Sequence, residues 1–577
     1  MTPAAPADAT VDLLVLGAGP AGMTAALVGA IEGLDVLLCE KSSQVGGTAA
    51  TSAGTLWIPG NTLSRDAGMA DSAEAAETYL DALIEADDDH GLRRAFLASG
   101  DAAITYLMRR SDVQFMPCGR HPDYKANRPG AAVAGRAIMP VPFDGRRLGA
   151  DFARVRPPIP EFMVLGGMMV GKADIPRLLD RFRSPSAFLY SARLFVRYLT
   201  DRLRYARGTR LMMGNALVAR LYASLKTAGV EIAFDSPLVG LIRRDGRVVG
   251  AVVGYGGRTR RIFARRGVVL ATGGYARNAD LRARLMPAPA PADSMASEQN
   301  LGEGIVAGMA IGASLAAARR GSAAFWTPVS RIARANGTTG LFPHLSLDRA
   351  KPGIIAVDRS GRRFVNEGDS YHDFVEAMFA RNASTPAIPA YLVCSTAFVR
   401  RFGLGAIHPG TTNLRPFTDS RYIYAASTLA MLARQIGVDP DGLEDSARRN
   451  DAYARTGHDP DFGKGESELN RFNGDPGTAP NPCLGPLGEG PYCAIEIWPA
   501  EIGCSIGLAT DADARALDDD GRVIPGLYVC GNDMNSIMAG TYPGPGTTLG
   551  PGIVFAYRLA RHAAGAASGG GADVACA

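Results

Sequence analysis

Three features that would point elsewhere are missing from this 577-residue chain: a strong net charge, a paired-cysteine motif and a long uncharged apolar run. The formal net charge is only +4, too small for a chain of this size to indicate a nucleic-acid partner. Eight cysteines occur, Cys39, Cys118, Cys394, Cys483, Cys493, Cys504, Cys530 and Cys576, with no CxxC spacing and several inside apolar runs. Buried free thiols are therefore expected, and neither a disulfide framework nor a metal site. No stretch approaches the roughly 18 uncharged apolar residues needed to span a bilayer. The start shows no basic segment followed by an apolar one, so a cytoplasmic protein is the expectation.

What is present is a large apolar fraction, 47% against 20% charged, enough for a sizeable core and at least two domains. Glycine is plentiful at 69 residues, above the usual ~7%. Much of the excess sits in short loops beside apolar runs, which suits a backbone that must approach a large ligand closely.

The first such loop is the most informative. Val11 to Leu16 is a continuous apolar run of the buried-strand kind, and Gly17-Ala18-Gly19-Pro20-Ala21-Gly22 follows at once. An Ala-rich helical stretch runs to about Gly33, and a second strand, Asp35 to Cys39, ends at Glu40 and Lys41. A lone GxGxxG is weak, but between a strand and a helix, with an acid closing the next strand, it marks a dinucleotide site. Gly17 allows the tight turn, Gly19 lets the helix N-terminus approach a pyrophosphate, and Gly22 lets helix and sheet pack closely. Glu40 can accept ribose hydroxyls.

Later segments favour FAD, held non-covalently, over NAD. Gly46, Gly47 and Thr48, then Ser52 and Gly54, form a loop suited to lie over a flavin. Val230 to Val253 predicts paired strands turning at Asp245-Gly246. Gly267 to Gly274 predicts a buried strand ending in the turn Gly273-Gly274. Gly526 to Asp533 predicts another, ending at Asn532 and Asp533 just before Tyr542 to Gly552, which carries Thr548 and Leu549. Segments this far apart converge only on an extended cofactor.

This order of motifs resembles the flavoprotein family of fumarate reductases and 3-ketosteroid dehydrogenases over nearly the whole chain. Within it, three segments are similar to the 3-ketosteroid Δ1-dehydrogenases: His121-Pro122-Asp123-Tyr124, Arg363 to Glu367 followed by Ser370-Tyr371, and Thr541-Tyr542-Pro543-Gly544-Pro545-Gly546. The resemblance implies an α/β fold, with a discontinuous Rossmann-like FAD domain (1–325 and 504–577) and an α+β catalytic domain (326–503). It also implies roles. Tyr542 and the Gly546 N–H would bind the C3 carbonyl of a 3-ketosteroid, Tyr371 would take the C2 proton with help from Tyr124, and hydride would leave C1 for the flavin. An external acceptor, a quinone or similar, would reoxidise the flavin.

The chemistry asks for such a set. A ketone α-proton needs donors placed for the developing enolate, and a phenol of pKa ~10 needs help to act as a base near neutrality. The chain has 18 tyrosines, and only their place in matching motifs singles out these three. His372 is read as structural, because the family pattern places the base one position earlier. Glu303, within Ser297 to Leu315, stands where the family pattern has aspartate.

Phe182 to Arg210 is an insert that short relatives lack. At 100° per residue it sets Arg193, Arg197, Arg204 and Arg207 opposite Phe188, Phe195, Leu199 and Leu203. Three uses are open for this helix: contact with an anionic membrane surface, at the inner face of the cell membrane, packing on its own domain with a solvated basic face, or an oligomer interface. The Gly/Ala-rich tail from about Gly565 is expected to lack order. Rival functions are a Δ4-(5α)-dehydrogenase, disfavoured because Gly544 stands where such relatives carry serine, another cyclic-ketone dehydrogenase, a fumarate reductase, for which the cationic clamp is missing, and a flavin-binding sensor.

Overall fold

The computed structural model describes residues 8–84, 91–171, 173–317, 323–345 and 348–565. The expectation for the C-terminal tail beyond Gly565, and that for Cys576, lie outside the described residues. All seven cysteines among the described residues are free.

The glycine-rich start folds as its pattern requires. Strand β1 (Ala9–Leu16) leads through Gly17 and Gly19 into helix α1 (Pro20–Ile31). Strand β2 (Val36–Cys39) then lies parallel to β1. Strand Arg258–Leu270 pairs with the other side of β1, and Val523–Val529 lies parallel to the end of that long strand. The Asp245-Gly246 turn joins Leu238–Arg244 to Arg247–Tyr255, and both turn residues have positive φ, +48° and +79°, as a two-residue hairpin turn demands. Glu231–Ala233 leaves that expected hairpin and runs parallel beside β2. With Arg515–Leu517, antiparallel to Val523–Val529, these strands form one eight-stranded sheet with a parallel centre.

A second, seven-stranded sheet is built around the long strand Tyr492–Cys504, which pairs with Ala324–Ala333 on one side and Ala390–Ser395 on the other. Its contributors begin earlier than the sequence suggests, since Asp293–Ser294 pairs with Ala500 and Glu501. The core runs continuously through both sheets: Leu14, Val268 and Ile553 belong to the same buried cluster as Phe325, Leu392 and Ile495.

The insert departs most from expectation. Its helix spans Pro185–Arg202 only, so Arg204 and Arg207 do not continue an arginine face. Arg207 is buried and donates to Asn215 Oδ1 (2.9 Å) and Val155 O (3.3 Å). The helix rests on the body through Ala187, Tyr198 and Asp201, while Phe188, Leu189, Phe195, Val196 and Leu199 are exposed. A helix packed by its apolar face is therefore excluded.

Candidate active site

One elongated cavity of ≈ 1140 Å³ runs from the Gly17–Pro20 loop to a cluster of tyrosines between the two sheets. At its first end the glycines divide the work as their spacing implies. A Cβ on Gly17 would lie 2.3 Å from Ala271 O, and one on Gly22 would lie 1.9 Å from Gly17 O. A Cβ on Gly19 would meet nothing, because the space beside it is the cavity. Gly19 caps α1 without any side-chain hydrogen bond, leaving the first-turn N–H groups for an anion. This is the fit expected for the pyrophosphate of a dinucleotide.

Glu40 proves busier than a ribose ligand alone. Its carboxylate accepts from Ala18 N (2.8 Å) and Ser42 N (2.9 Å), so it also fixes the glycine loop. Lys41 and Glu303 form an ion pair on the cavity wall. Pro20, Ala21, Gly46, Gly47, Thr48, Ser52, Gly54, Gly273, Asn532, Thr548 and Leu549 all line the cavity. Gly22, Gly274 and Asp533 stand behind the wall. Asp533, fully buried, accepts from Gly274 N (2.8 Å) and Thr272 N (2.5 Å) and so shapes the turn at Gly273. Sequence reasoning missed Asn300, whose amide donates to Gly273 O (2.9 Å) and Thr48 Oγ1 (3.1 Å). It sits in an irregular loop with no periodic signal.

At the far end Tyr124, Tyr371 and Tyr542 meet. The Tyr124 and Tyr371 hydroxyls are 3.3 Å apart. The Tyr542 ring stacks on Tyr124 (5.7 Å, 15°) and meets Tyr371 edge-on (5.3 Å). Tyr371 is the first residue of helix Tyr371–Asn382, capped by Ser370, whose side chain accepts from Asp373 N (3.1 Å). Its phenol thus stands at the positive end of a helix dipole. Beneath this loop the buried Arg349 guanidinium, another residue missed from sequence, donates to the carbonyls of His344, Leu345, Glu367 and Asp369.

Burial raises all three phenols above the ordinary tyrosine range. The neighbouring phenols push Tyr371 further up, while bonds to Tyr371 and Thr547 pull Tyr542 partly back. His372 is not on the cavity wall. Its Nδ1 accepts from Trp326 N (3.2 Å) and its Nε2 faces Gly540 O (3.1 Å), a structural arrangement.

Gly546 lines the cavity with φ +91°, and a Cβ there would lie 2.2 Å from Thr55 O. Its carbonyl accepts from Trp57 N (3.2 Å), and among the described residues its N–H donates to no protein group. Each lysine and arginine on the described wall is ion-paired: Lys41 with Glu303, Arg120 with Glu468, Arg210 with Asp174.

The comparisons with known proteins agree with this geometry. The FAD binding domain family matches residues 12–549. The chain is 38% identical to a 4-oxocyclohex-2-ene-1-carboxylate 5-dehydrogenase of Sinomonas cyclohexanicum, over 96% of this chain and 94% of that protein. It is 34% identical to a 3-oxosteroid 1-dehydrogenase of Mycobacterium tuberculosis, over 96% and 98%. The crystal structure of a 3-ketosteroid delta1-dehydrogenase from Sterolibacterium denitrificans, in complex with 1,4-androstadiene-3,17-dione, superposes with a TM-score of 0.88 at 35% identity, covering 96% of this chain and 99% of that one. The chain belongs to the FAD-dependent flavoprotein family that contains the 3-ketosteroid Δ1-dehydrogenases.

Proposed function

We propose that the protein desaturates the C1–C2 bond of 3-ketosteroids in steroid degradation, with FAD as its non-covalent cofactor. The observation that carries this reading is the meeting of Tyr124, Tyr371 and Tyr542 beside the Gly546 N–H on one cavity wall. The Tyr542 hydroxyl and Gly546 N–H donate to the C3 carbonyl oxygen, where charge develops as the C2 proton leaves. Tyr371, in its phenolate form, receives that proton. Tyr124 donates to the Tyr371 oxygen (3.3 Å) and so holds it in place for the transfer, while the helix N-terminus opposes the upward push that burial and the neighbouring phenols exert on Tyr371. FAD, when bound, would supply the acceptor for the hydride leaving C1, and the electron pair of the C2–H bond would become the second bond of C1=C2. The residues facing the cavity from Gly17 to Gly54, with Gly273, Asn532, Thr548 and Leu549, would hold the cofactor. The proposed division into an FAD domain (1–325, 504–577) and a catalytic domain (326–503) is supported by the presence of two sheets, apart from Asp293–Ser294, which pairs in the second sheet although it precedes residue 326.

A second reading, a carboxylated cyclic ketone as substrate, is favoured by the Sinomonas relative. The wall charges oppose it, because a carboxylate would find no unpaired lysine or arginine among the described lining residues and would meet Asp348 and Asp369. Burial raises Asp348, but His344 and Arg349 bring it down to about 2, so it stays anionic. Desaturation at C4–C5 is disfavoured because a Cβ on Gly544 would lie 2.7 Å from the Trp57 ring, leaving no room for a serine.

Membrane contact belongs to the same reading. Phe182, Leu189 and Leu203 are 80%, 70% and 84% exposed around the insert helix. Tyr190 of that helix lines the cavity, which supports delivery of a lipid-dissolved substrate from the inner face of the membrane, and a quinone as acceptor. No helix among the described residues is long and apolar enough to cross a membrane. Dye-coupled turnover of androst-4-ene-3,17-dione, with identification of the diene product, tests the function; turnover of 4-oxocyclohex-2-ene-1-carboxylate alone would support the second reading.

A further inference from the structure

A fourth tyrosine lies behind the site. Tyr79, on helix Ala73–Leu83, is fully buried and does not reach the cavity wall. Its ring lies 6.4 Å from that of Trp57 and under the Arg136 guanidinium at 5.5 Å. Its hydroxyl donates to Pro543 O (2.8 Å) and accepts from Lys125 N (3.1 Å). Tyr124 N donates to the same Pro543 carbonyl at 2.8 Å. The backbone next to Tyr124 and the backbone next to Tyr542 are thus joined twice, once directly and once through the Tyr79 phenol. The Lys125 side chain in turn pairs with Asp373 (2.6 Å) on the helix that begins at Tyr371. All three cavity tyrosines are thus linked to Tyr79 through backbone hydrogen bonds or the Lys125–Asp373 pair.

We infer that Tyr79 is a positioning residue, whose hydroxyl sets the stacking of Tyr124 on Tyr542 and, through Lys125, the approach of Tyr124 to Tyr371. This rests on the reading of those three phenols as the catalytic set. Burial holds the Tyr79 phenol neutral far above its ordinary range, so it remains a donor to Pro543. Two strands of chain, one presenting a proton-transfer partner and the other a carbonyl donor, would otherwise be free to drift apart. A displacement of about 1 Å in such a set is enough to slow chemistry by up to ~100-fold.

The test is Tyr79→Phe, which keeps the ring and its packing and removes only the bridging hydroxyl. The FAD-loaded variant is assayed with androst-4-ene-3,17-dione alone and in combination with Tyr124→Phe. The expected result is a fall in kcat of roughly tenfold or more with KM nearly unchanged, and little further loss when Tyr79→Phe is added to Tyr124→Phe, since both act through one unit. A wild-type kcat, or losses that multiply independently of Tyr124, would overturn the inference. Tyr371→Phe run alongside separates the cases: if it stays active the reading of the site fails, whereas if it is dead and Tyr79→Phe is normal only this inference fails.

Discussion

The hydroxyls of Tyr124 and Tyr371 lie 3.3 Å apart although 247 residues separate them in the chain. Tyr124 lies in a turn and Tyr371 begins a helix, so the contact depends on the tertiary fold. If Tyr371 takes the proton, Tyr371→Phe should retain FAD and lose on the order of 10²–10⁴ in kcat. Tyr124→Phe should lose less, because it removes an assisting donor and leaves the base. Steady-state dye reduction, with flavin absorbance as the check on loading, measures both; an active Tyr371→Phe would remove it as base.

The pH dependence follows from burial. All three phenols are held in the neutral form beyond the ordinary tyrosine range, so kcat should climb as pH rises from neutrality toward the alkaline limit of stability. A rate profile that falls across this range would contradict a phenolate base. Stability moves the other way. Above pH ~10 the unfolded chain releases tyrosine protons that the folded chain keeps, so stability is complete below that point and is lost as pH rises through the folded values. Thermal melts from pH 8 to about 11 should show Tm level at first and then falling.

Two glycines separate cofactor binding from carbonyl activation. Gly22→Ala puts a methyl against Gly17 O at 1.9 Å and should lower FAD occupancy of the purified protein. Gly546→Ala forces a side chain onto φ +91° and against Thr55 O at 2.2 Å. The displaced N–H should lower kcat by about 10²–10³, the usual loss for one oxyanion donor. Flavin content and kcat, measured together, distinguish the two outcomes.

The exposed apolar face of the insert gives a surface prediction. Leu189→Glu combined with Leu203→Glu alters side chains that are 70% and 84% exposed, so Tm should change little. Co-sedimentation with anionic phospholipid vesicles should fall sharply, while turnover of detergent-dispersed steroid stays near wild type. Equal vesicle binding by the double variant and the parent would dismiss the membrane role.

Much of this was legible in the sequence because the signals were local. The Gly17–Gly22 turn, β1 and β2 follow from short-range pattern, and the Asp245-Gly246 hairpin is dictated by two residues of positive φ. The site tyrosines were legible only through motif resemblance, since nothing in the spacing of 124, 371 and 542 reveals that they meet. The insert misled for a physical reason. A helical wheel assumes the helix continues, yet it stops at Arg202, and Arg207 turns inward to Asn215. Arg349, Asn300 and Tyr79 are not legible because they act on loop groups through hydrogen bonds, which no local periodicity encodes.

The most direct test is anaerobic mixing of the FAD-loaded protein with androst-4-ene-3,17-dione deuterated at C1 and C2, following flavin absorbance and then locating the label in the product. The account predicts flavin bleaching slowed by the label and a 1,4-diene that has lost one deuterium from each of the two carbons. Bleaching without loss from C1 and C2, or no bleaching with the steroid while 4-oxocyclohex-2-ene-1-carboxylate reduces the flavin, would contradict it.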